Sequence, residues 1–309
     1  MSDLATFERH RAHLLNIAYR MLGEMAGAED VVQEAWLRWR RTAGEDIRDP
    51  RAWLSAATVR LSLDALRKVR ARRESYVGPW LPEPLLPDDT RAFAADAPAA
   101  RAELASDLSL ALLHVLERLS PEERAALILH DAFDCDYSEI AATLEKTEAA
   151  CRKLVSRARE RVKADRPRYT MSKEAHRDLL MRFAKASSSA DPQEMMALLA
   201  PDAIAYTDGG GRVAAALNPI YGPDKIARFI HGLGRKFYAD AKLSMDMTEL
   251  NGQPALVVRD GDEMLGTMAI ETDGEKITTL YGLRNPDKLQ RLMDLLKLSA
   301  PGSSSPVAR

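Results

Sequence analysis

The chain has 309 residues, which is long for one domain and predicts two or three. A net charge of −2 excludes nucleic-acid binding through bulk positive charge, so any such site must be local. The N-terminus lacks the apolar core of a signal peptide and no run of about 18 apolar residues occurs, so we expect a cytoplasmic protein.

Residues 3–73 have the hydrophobic periodicity of helices and form the first expected domain. The helix after Gly27 turns its valines and tryptophans to one side of a helical wheel. The other side carries acids, an amide and a leucine, which are Asp30, Gln33, Glu34 and Leu37. An outward Leu is either ordinary surface or part of a docking patch for another protein.

The next helix, from Arg51, is apolar over most of its circumference except for one ridge. Trp53, Arg60, Asp64 and Arg67 fall on that ridge. A tryptophan beside two arginines can stack on unpaired bases and hold phosphates. The alternative is a core tryptophan with arginine stems lying over it, and these residues alone favour that alternative.

Residues 74–101 form a proline-rich linker, in which five prolines predict irregular backbone. Its segment Gly78–Pro84 contains Trp80, Leu81 and Pro82. Apolar side chains in a mobile linker would face water unless they dock on something. The segment is therefore either a short docking peptide or part of a disordered linker.

Residues 102–168 end in a predicted helix-turn-helix. Ser120, Pro121 and Glu123 form a capping box that starts one helix, and a second short helix starts near Tyr137. Only three residues separate it from a long third helix. The outer face of that helix is small and basic, with Arg152, Lys153 and Ser156 at its centre and Arg157 beside them. This pattern predicts insertion into the DNA major groove, and the alternative is a solvated basic helix.

From residue 171 the pattern changes to amphipathic helices and strands. Strands are expected at Ala203–Thr207, Val213–Leu217, Lys242–Leu250, Ala255–Arg259, Met264–Glu271 and Lys276–Leu283, with hairpin turns between the later ones. Residues 171–298 therefore predict an α+β domain with a curled antiparallel sheet, and residues 299–309 a disordered tail. In the glycine-rich turn Asp208–Arg212, which includes Gly210, we expect Asp208 and Arg212 to pair.

Residues suited to general acid–base chemistry in this domain are Tyr206, Asp208, His231 and Asp246, but they form no catalytic motif. We therefore expect no enzyme, no catalytic residue and no cofactor. The six histidines lack ligand spacing, so no metal site is expected. Cys135 and Cys151 are expected to be reduced buried thiols, the alternative being a redox pair.

Three motifs in residues 3–165 together resemble a bacterial extracytoplasmic-function (ECF) RNA polymerase sigma factor. They are Gly27–Ala35, Arg51–Leu54 and Leu119–Val162, in order and at workable spacing. Residues 171–298 resemble a SnoaL-like domain, the extension carried by the SigJ-type subgroup. Three further segments match that subgroup: Trp80–Pro84, Asp208–Arg212 and Asn285–Leu289. Their regulatory positions here would include Asn285, Pro286, Asp287 and Leu289.

The resemblance implies a fold of two all-α sigma domains, the second with a helix-turn-helix, and a C-terminal α+β SnoaL-like (cystatin-like roll) domain. It implies that the face Asp30, Gln33, Glu34 and Leu37 docks on the β′ clamp helices of core RNA polymerase. The ridge of Trp53, Arg60 and Arg67 would then hold the −10 promoter element. Residues Thr147–Arg161 would read the −35 element as duplex, through Thr147, Arg152, Lys153, Ser156 and Arg157.

The subgroup also implies regulation in cis by the C-terminal domain, which replaces a separate anti-sigma protein. We expect a protein that is monomeric when free, with core polymerase (β′ and β) and promoter DNA as partners, a small-molecule ligand in the C-terminal domain as a further one, and no membrane. The alternative is a one-component helix-turn-helix repressor with a ligand-binding domain. A second basic helical block, Arg60–Arg73, argues against the repressor, because it would have no use there.

Overall fold

The computed structural model describes residues 3–42, 47–73, 76–95, 108–165, 172–189, 191–237 and 241–298. Contacts divide the chain into two units, of which the first is Met1–Ser75 with Asp88–Arg166. The second is Tyr76–Pro87 with Pro167–Arg309. Over the residues described, every helix is too short or too polar to cross a bilayer. The tail expected to be disordered lies outside the described residues.

The first unit is helical. Its helices are α1 (Asp3–Leu22), α2 (Met25–Arg41), α3 (Pro50–Arg73), α4 (Pro87–Ala95), α5 (Leu110–Leu116), α6 (Pro121–Leu127), α7 (Tyr137–Leu144) and α8 (Glu148–Asp165). A π-helical turn, Ile128–Ala132, extends α6. Gly23 ends α1 in the left-handed region, with φ of +72°. Helices α1 to α3 pack on one another around Leu14, Ile17 and Leu54, which are fully buried.

The proline-rich stretch is irregular from Tyr76 to Leu86, as its prolines predict, but the prediction of irregular backbone is wrong for Pro87–Ala95. Pro87 begins helix α4, with Asp88 and Asp89 in the first turn. Proline is tolerated at that position because the first N–H groups of a helix have no partner inside it. In the same helix, the ring of Phe93 lies 6.2 Å from that of Tyr19.

The helix-turn-helix is confirmed as helices α7 and α8. A capping box formed by Asp136 and Glu139 starts α7. Glu145, with φ of +55°, ends it in the left-handed conformation. The buried face of α8 is formed by Cys151, Val155, Ala158 and Val162. The capping box of Ser120 and Glu123 at the start of α6 is also confirmed.

The second unit is an α+β roll, and the expected fold class is confirmed. Its helices are α9 (Lys173–Ser187), α10 (Pro192–Leu198), α11 (Pro223–Phe237) and α12 (Pro286–Leu296). Its strands are β1 (Leu199–Asp208), β2 (Ile220–Tyr221), β3 (Leu243–Leu250), β4 (Gln253–Asp260), β5 (Glu263–Thr272) and β6 (Ile277–Leu283). They form one sheet in the order β2-β1-β6-β5-β4-β3. The core lies between this sheet and helices α9, α10 and α11.

Two details of the sheet differ from the sequence prediction. The sheet is mixed, because β1 pairs in parallel with β6 while the other pairings are antiparallel. The predicted strand Val213–Leu217 is a loop. The backbone N–H of Ala216 donates to Thr207 Oγ1 at 2.8 Å, so a side chain rather than a neighbouring strand takes this amide. Ile220 and Tyr221 pair with β1 instead.

Candidate nucleic-acid interface and linker-binding site

The face of α2 that carries acids, an amide and a leucine points to solvent, as predicted. Asp30, Gln33 and Leu37 are exposed, and Leu37 retains 37% of its accessible surface. Glu34 is half-buried and its carboxylate lies 3.3 Å from the guanidinium of Arg38. The valines and tryptophans of α2 face the other way. The helix therefore presents an apolar side chain among acids at the surface, as a docking patch requires.

On the α3 ridge, Trp53 packs against the protein while Arg67 faces solvent. The indole of Trp53 is half-buried and lies 5.5 Å from that of Trp39, in an edge-on arrangement. Further along α3, Arg67 is exposed and pairs with Asp64 at 3.1 Å. The packing of Trp53 on another tryptophan is the arrangement that the residues alone favoured. Arg67 remains accessible to a phosphate.

Arg60 is bound to the helix-turn-helix. Its Nε donates to the carbonyl oxygen of Thr143 at 3.0 Å, and its Nη2 donates to that of Ala142 at 2.8 Å. Both carbonyls belong to the last turn of α7, where the helix dipole places partial negative charge. A guanidinium that could hold DNA phosphates is thus directed at protein carbonyls.

Two further contacts join the α1–α3 segment to the segment that starts at α5. Arg124, which is 2% exposed, donates through Nη1 to the carbonyl of Met21 at 2.7 Å and pairs with Glu117. The rings of His13 and Phe133 meet edge to face with centroids 4.8 Å apart. The α1–α3 segment and the segment that starts at α5 are therefore held together by polar and aromatic contacts.

The outer face of α8 is exposed and basic. Its predicted residues Thr147, Arg152, Lys153, Ser156 and Arg157 all point to solvent. Thr147 also accepts the Ala150 amide at 3.2 Å, which caps the helix. The guanidinium of Arg152 lies 2.8 Å from Glu148 and 4.9 Å from the centre of the Tyr137 ring. These contacts hold Arg152 at the start of the helix, where base edges would be read.

The linker segment Tyr76–Leu86 lies on the second unit, around the buried carboxylate of Asp208. That carboxylate has no exposed surface and accepts four hydrogen bonds. The donors are Tyr76 Oη at 2.5 Å, Leu81 N at 2.9 Å, Lys288 Nζ at 2.7 Å and, within its own turn, Gly210 N at 3.0 Å. Because two of the donors belong to the linker, Asp208 ties the linker to the C-terminal domain. Hydrogen bonds to a buried carboxylate are among the stronger ones in proteins.

Lys288 supports the same contact from helix α12. Its Nζ lies 3.9 Å from the centre of the Trp80 ring, a cation–π contact, and donates to the Leu81 carbonyl. The Asn285 amide donates to Tyr76 Oη at 3.0 Å. The linker segment is thus bound by a cation, an amide and a carboxylate of the C-terminal domain, which are Lys288, Asn285 and Asp208. The two most distant of them in the chain, Asp208 and Lys288, are 80 residues apart.

Buried apolar side chains and hydrogen bonds of the backbone also hold the linker on the C-terminal domain. Leu81 and Leu85 are 1% and 0% exposed, and Pro82 between them is buried. Leu85 and Asn251 exchange two hydrogen bonds, of 3.1 Å to the Asn251 side chain and 3.0 Å from its backbone N–H. The linker is packed like part of a core.

The expected pairing of Asp208 with Arg212 is wrong. Arg212 pairs with Asp287 at 3.0 Å on the surface, while Asp208 pairs with Lys288 in the interior. Gly210, with φ of +61°, leaves room for the Asn285 side chain, since a Cβ there would lie 2.4 Å from it.

Helix α12 holds its end of this cluster in place. Asn285 caps the helix through a 3.1 Å hydrogen bond from Asp287 N, and Pro286 occupies its first turn. Leu289 is fully buried. The sequence analysis did not predict three residues that contact the linker or belong to it, namely Tyr76, Asn251 and Lys288. Of these, only Lys288 could have been predicted, because it lies in the segment Asn285–Leu289 that matches the subgroup.

The residues considered for acid–base chemistry are dispersed. Tyr206 stacks on Tyr281 with ring centroids 6.0 Å apart, and Asp246 pairs with Arg259. His231 is half-buried on α11 and Asp208 serves the linker. Among the residues that the structure describes, no group of three or more His, Cys, Asp or Glu is placed to hold a metal ion.

The two cysteine thiols are held in the protonated form. Burial, with a contribution from the charge of Glu139, raises the pKa of Cys135 to about 12. Burial also raises the pKa of Cys151 above its ordinary value. Since the thiolate is the species that reacts with oxidants, neither environment activates its sulfur.

Comparison with known proteins identifies both helical domains. Residues 6–73 match the family model for Sigma-70 region 2, and residues 109–162 match that for Sigma-70 region 4. These are the domains of a sigma-70-type initiation factor. The region 2 match does not favour the one-component repressor, which would lack that domain.

Full-length relatives match the C-terminal domain as well. The chain is 38% identical over 294 residues to the ECF RNA polymerase sigma factor SigJ of Mycobacterium tuberculosis, covering 93% of each. It is 31% identical over 290 residues to the probable ECF RNA polymerase sigma factor SigI of the same species, covering 93% of this chain and 95% of SigI. The crystal structure of M. tuberculosis SigJ superposes with a TM-score of 0.71 at 35% identity, over 93% of this chain and 98% of that one.

The chain belongs to the ECF RNA polymerase sigma factors, in the subgroup that resembles SigJ and carries a C-terminal SnoaL-like domain. It acts as a sigma factor in promoter-specific transcription initiation.

Proposed function

We propose that the chain docks on the β′ clamp helices of core polymerase through the α2 face of Asp30, Gln33, Glu34 and Leu37. Arg60 and Arg67, with Trp53, then hold the −10 element, and the outer face of α8 reads the −35 element. The C-terminal domain regulates these steps in cis by holding the linker segment Tyr76–Leu86. No catalytic step is assigned to that domain.

The observation that carries the proposal is the position of Arg60. Its guanidinium donates to the carbonyls of Thr143 and Ala142. One guanidinium cannot make these two bonds and clamp a DNA phosphate in the same way at the same time. The structure therefore has the features expected of a closed form, in which a −10 contact is occupied by the −35 domain. Polymerase and promoter would favour an open form in which Arg60 is released.

The linker supplies the route for regulation in cis. It connects α3 with α4 and is held by Asp208, Asn251, Asn285 and Lys288 of the second unit. A tethered domain acts at high effective concentration, so modest contacts suffice to bias two arrangements. Release of the linker would lengthen the free connection between the two sigma domains, which suits the different separation that promoter DNA imposes.

The test is run-off transcription with bacterial core RNA polymerase on a promoter selected from random DNA. We compare the full chain with Asp208→Asn, which weakens linker binding, and with Glu249→Gln, which breaks only the exposed pair with Lys173. At limiting sigma concentration, Asp208→Asn should raise the transcript yield severalfold, because more of the chain is open, while Glu249→Gln should leave the yield within about twofold.

Equal yields from Asp208→Asn and the wild type would contradict regulation through the linker. A wild-type chain that yields no transcript but binds duplex DNA tightly without polymerase would favour the repressor. Docking on the clamp helices is tested separately, by measuring the affinity of the chain for core polymerase with substitutions in the α2 face.

A further inference from the structure

The first residue of α7, Tyr137, lies between the π-helical turn and the exposed basic helix α8. Its ring is 4.6 Å from that of His130, centroid to centroid, with the two planes inclined at 43°. The guanidinium of Arg152 lies over the Tyr137 ring, 4.9 Å from its centre. Tyr137 is half-buried, whereas Arg152 is exposed. An aromatic surface of one helix thus contacts a solvent-exposed cation of the next.

Polar contacts with α8 hold the imidazole that packs on Tyr137. His130 is 8% exposed, and its Nδ1 lies 2.8 Å from Asp131 Oδ1 and 3.2 Å from Arg159 Nη2. Arg159 Nε also donates to Asp131 Oδ2 at 2.9 Å. His130 and Asp131 belong to the π-helical turn, a kind of turn that often occurs at functional sites. The aromatic pair is therefore anchored to α8 through Arg159.

The two arginines that take part in these contacts lie on the same side of α8. They are Arg152 and Arg159, and seven residues make almost two turns of an α-helix. From Arg159 the contacts run through Asp131 and His130, and they return to α8 through Tyr137 and Arg152. Together they fix the rotation of α8 against α7 and, at one end, the direction of an exposed guanidinium.

Glu148 also pairs with Arg152, but this contact does little to keep the guanidinium in place on DNA. Both side chains are about half exposed, and such pairs contribute little in water. A DNA phosphate would compete with the carboxylate for the same N–H groups. The Tyr137 ring attracts the cation through its π face, which takes none of the N–H donors that a base edge needs. The ring can therefore hold Arg152 while Arg152 binds DNA.

We infer that Tyr137 is a positioning residue for −35 recognition, whose ring holds Arg152 in the orientation that reads a base edge. The inference rests on the proposed function, because Arg152 must face the −35 duplex. An arginine without this surface samples many rotamers, and ordering it on DNA costs part of the affinity for the correct sequence. Loss of the ring therefore lowers the discrimination between sequences, while the phosphate contacts of Lys153 and Arg157 persist.

The test uses holoenzyme assembled from the full chain and core polymerase, and measures its affinity for two promoter fragments. One fragment carries the −35 element selected from random DNA, and the other carries that element scrambled. Tyr137→Leu should lower the ratio of the two affinities about threefold to fivefold, which is what an exposed cation–π contact can supply. Tyr137→Phe keeps the ring, so its ratio should stay within about twofold of the wild type.

A double-mutant cycle separates positioning from a general loss of structure. In the Arg152→Ala background, Tyr137→Leu should change the ratio by less than about twofold, because no guanidinium remains to be positioned. An equal loss in both backgrounds would show that Tyr137 only supports the fold, and it overturns the inference. A wild-type ratio for Tyr137→Leu, or a Tyr137→Phe ratio as low as that of Tyr137→Leu, overturns it too.

The single variant Arg152→Ala distinguishes failure of this inference from failure of the proposed function. If its ratio equals that of the wild type, Arg152 does not read the −35 element, and the proposed role of Arg152 falls together with the inference. If Arg152→Ala lowers the ratio and Tyr137→Leu does not, the proposed reading through Arg152 stands and only the positioning role of Tyr137 is refuted.

Discussion

Lys288 Nζ lies 2.7 Å from Asp208 Oδ2, and the two side chains are 7% and 0% exposed. The two residues also bracket one linker residue, because Asp208 accepts from the Leu81 amide and Lys288 donates to the Leu81 carbonyl. The ion pair and the linker are therefore parts of one buried network. Removing one member leaves the other charge buried without its partner.

Lys288→Met should destabilise the C-terminal domain by about 3 kcal/mol, because it strands the carboxylate of Asp208 in the interior. Hydrogen exchange of the β5 and β6 amides measures the change, together with faster exchange at Leu81. The matched control is Arg212→Met, which removes the exposed pair with Asp287 and should cost less than about 1 kcal/mol. If the two variants lost equal stability, the buried pair would stabilise the domain no more than the exposed pair does.

Arg60→Gln and Arg67→Gln separate the closed form from DNA binding. Both changes remove a cation from the proposed −10 surface and should lower transcript yield. Only Arg60→Gln also removes hydrogen bonds to Thr143 and Ala142, so it alone should destabilise the first unit, by about 1 kcal/mol after allowance for its exposure. Urea unfolding of the two variants checks this difference, and a stable Arg60→Gln would contradict the closed arrangement.

Lys153→Ala should weaken binding to −35 duplex DNA with little dependence on base sequence, because the exposed ammonium is expected to meet a phosphate. The slope of log affinity against log salt should fall by about one unit. Titrations at several salt concentrations measure it. Lys163→Ala, at the far end of α8, serves as control and should leave the slope nearly unchanged. A normal slope for Lys153→Ala would remove this residue from the interface.

Leu37→Asp should abolish binding to core polymerase, since a charge would be placed in the centre of the proposed docking face. Leu37 is exposed, so the folded chain should keep its stability. Leu4→Asp is the matched control, because Leu4 is exposed at 53% on α1, outside the proposed face. Native gel shifts with core polymerase distinguish the two. Equal affinity for both variants would place the docking face elsewhere.

Alkylation of Cys135 by iodoacetamide should be slow in the folded chain. Its pKa of about 12 leaves roughly one thiolate in ten thousand at pH 8, against about a quarter for a free cysteine. Because the pKa is raised, the rate should increase with pH throughout the accessible range. Mass spectrometry after timed quenching, with the urea-unfolded chain as reference, measures it. Rapid alkylation at pH 7 would restore the redox alternative.

The hydrophobic periodicity of the sequence was sufficient to predict which residues of a single helix are exposed. The wheel of α8 placed Arg152, Lys153 and Ser156 outward, and they are exposed. A helix face depends on local spacing, which a sequence displays directly. The same holds for the capping residues Ser120 and Asn285, whose partners lie within three positions.

Contacts between distant segments could not be predicted in this way. Asp208 was expected to pair with nearby Arg212, yet, besides the amide of Gly210, its carboxylate binds Tyr76, Leu81 and Lys288, which lie 132, 127 and 80 residues away. The strand expected at Val213–Leu217 is instead a loop, in which the Thr207 hydroxyl takes the Ala216 amide, and an apolar pattern does not reveal such a side-chain contact. Only the resemblance to a family indicated that these segments act together.

The burial of Leu81 and Leu85 has a consequence for polymerase binding if the proposed regulation through the linker holds. Exposing two leucines costs about 3–6 kcal/mol, so between roughly one free chain in 150 and roughly one in 25,000 would have its linker released. If polymerase engages only that form, its apparent affinity for the chain falls by the same factor. A rise in the amount of this protein would then raise occupancy of polymerase only in proportion, whereas a signal that loosens the linker would act on every copy already made.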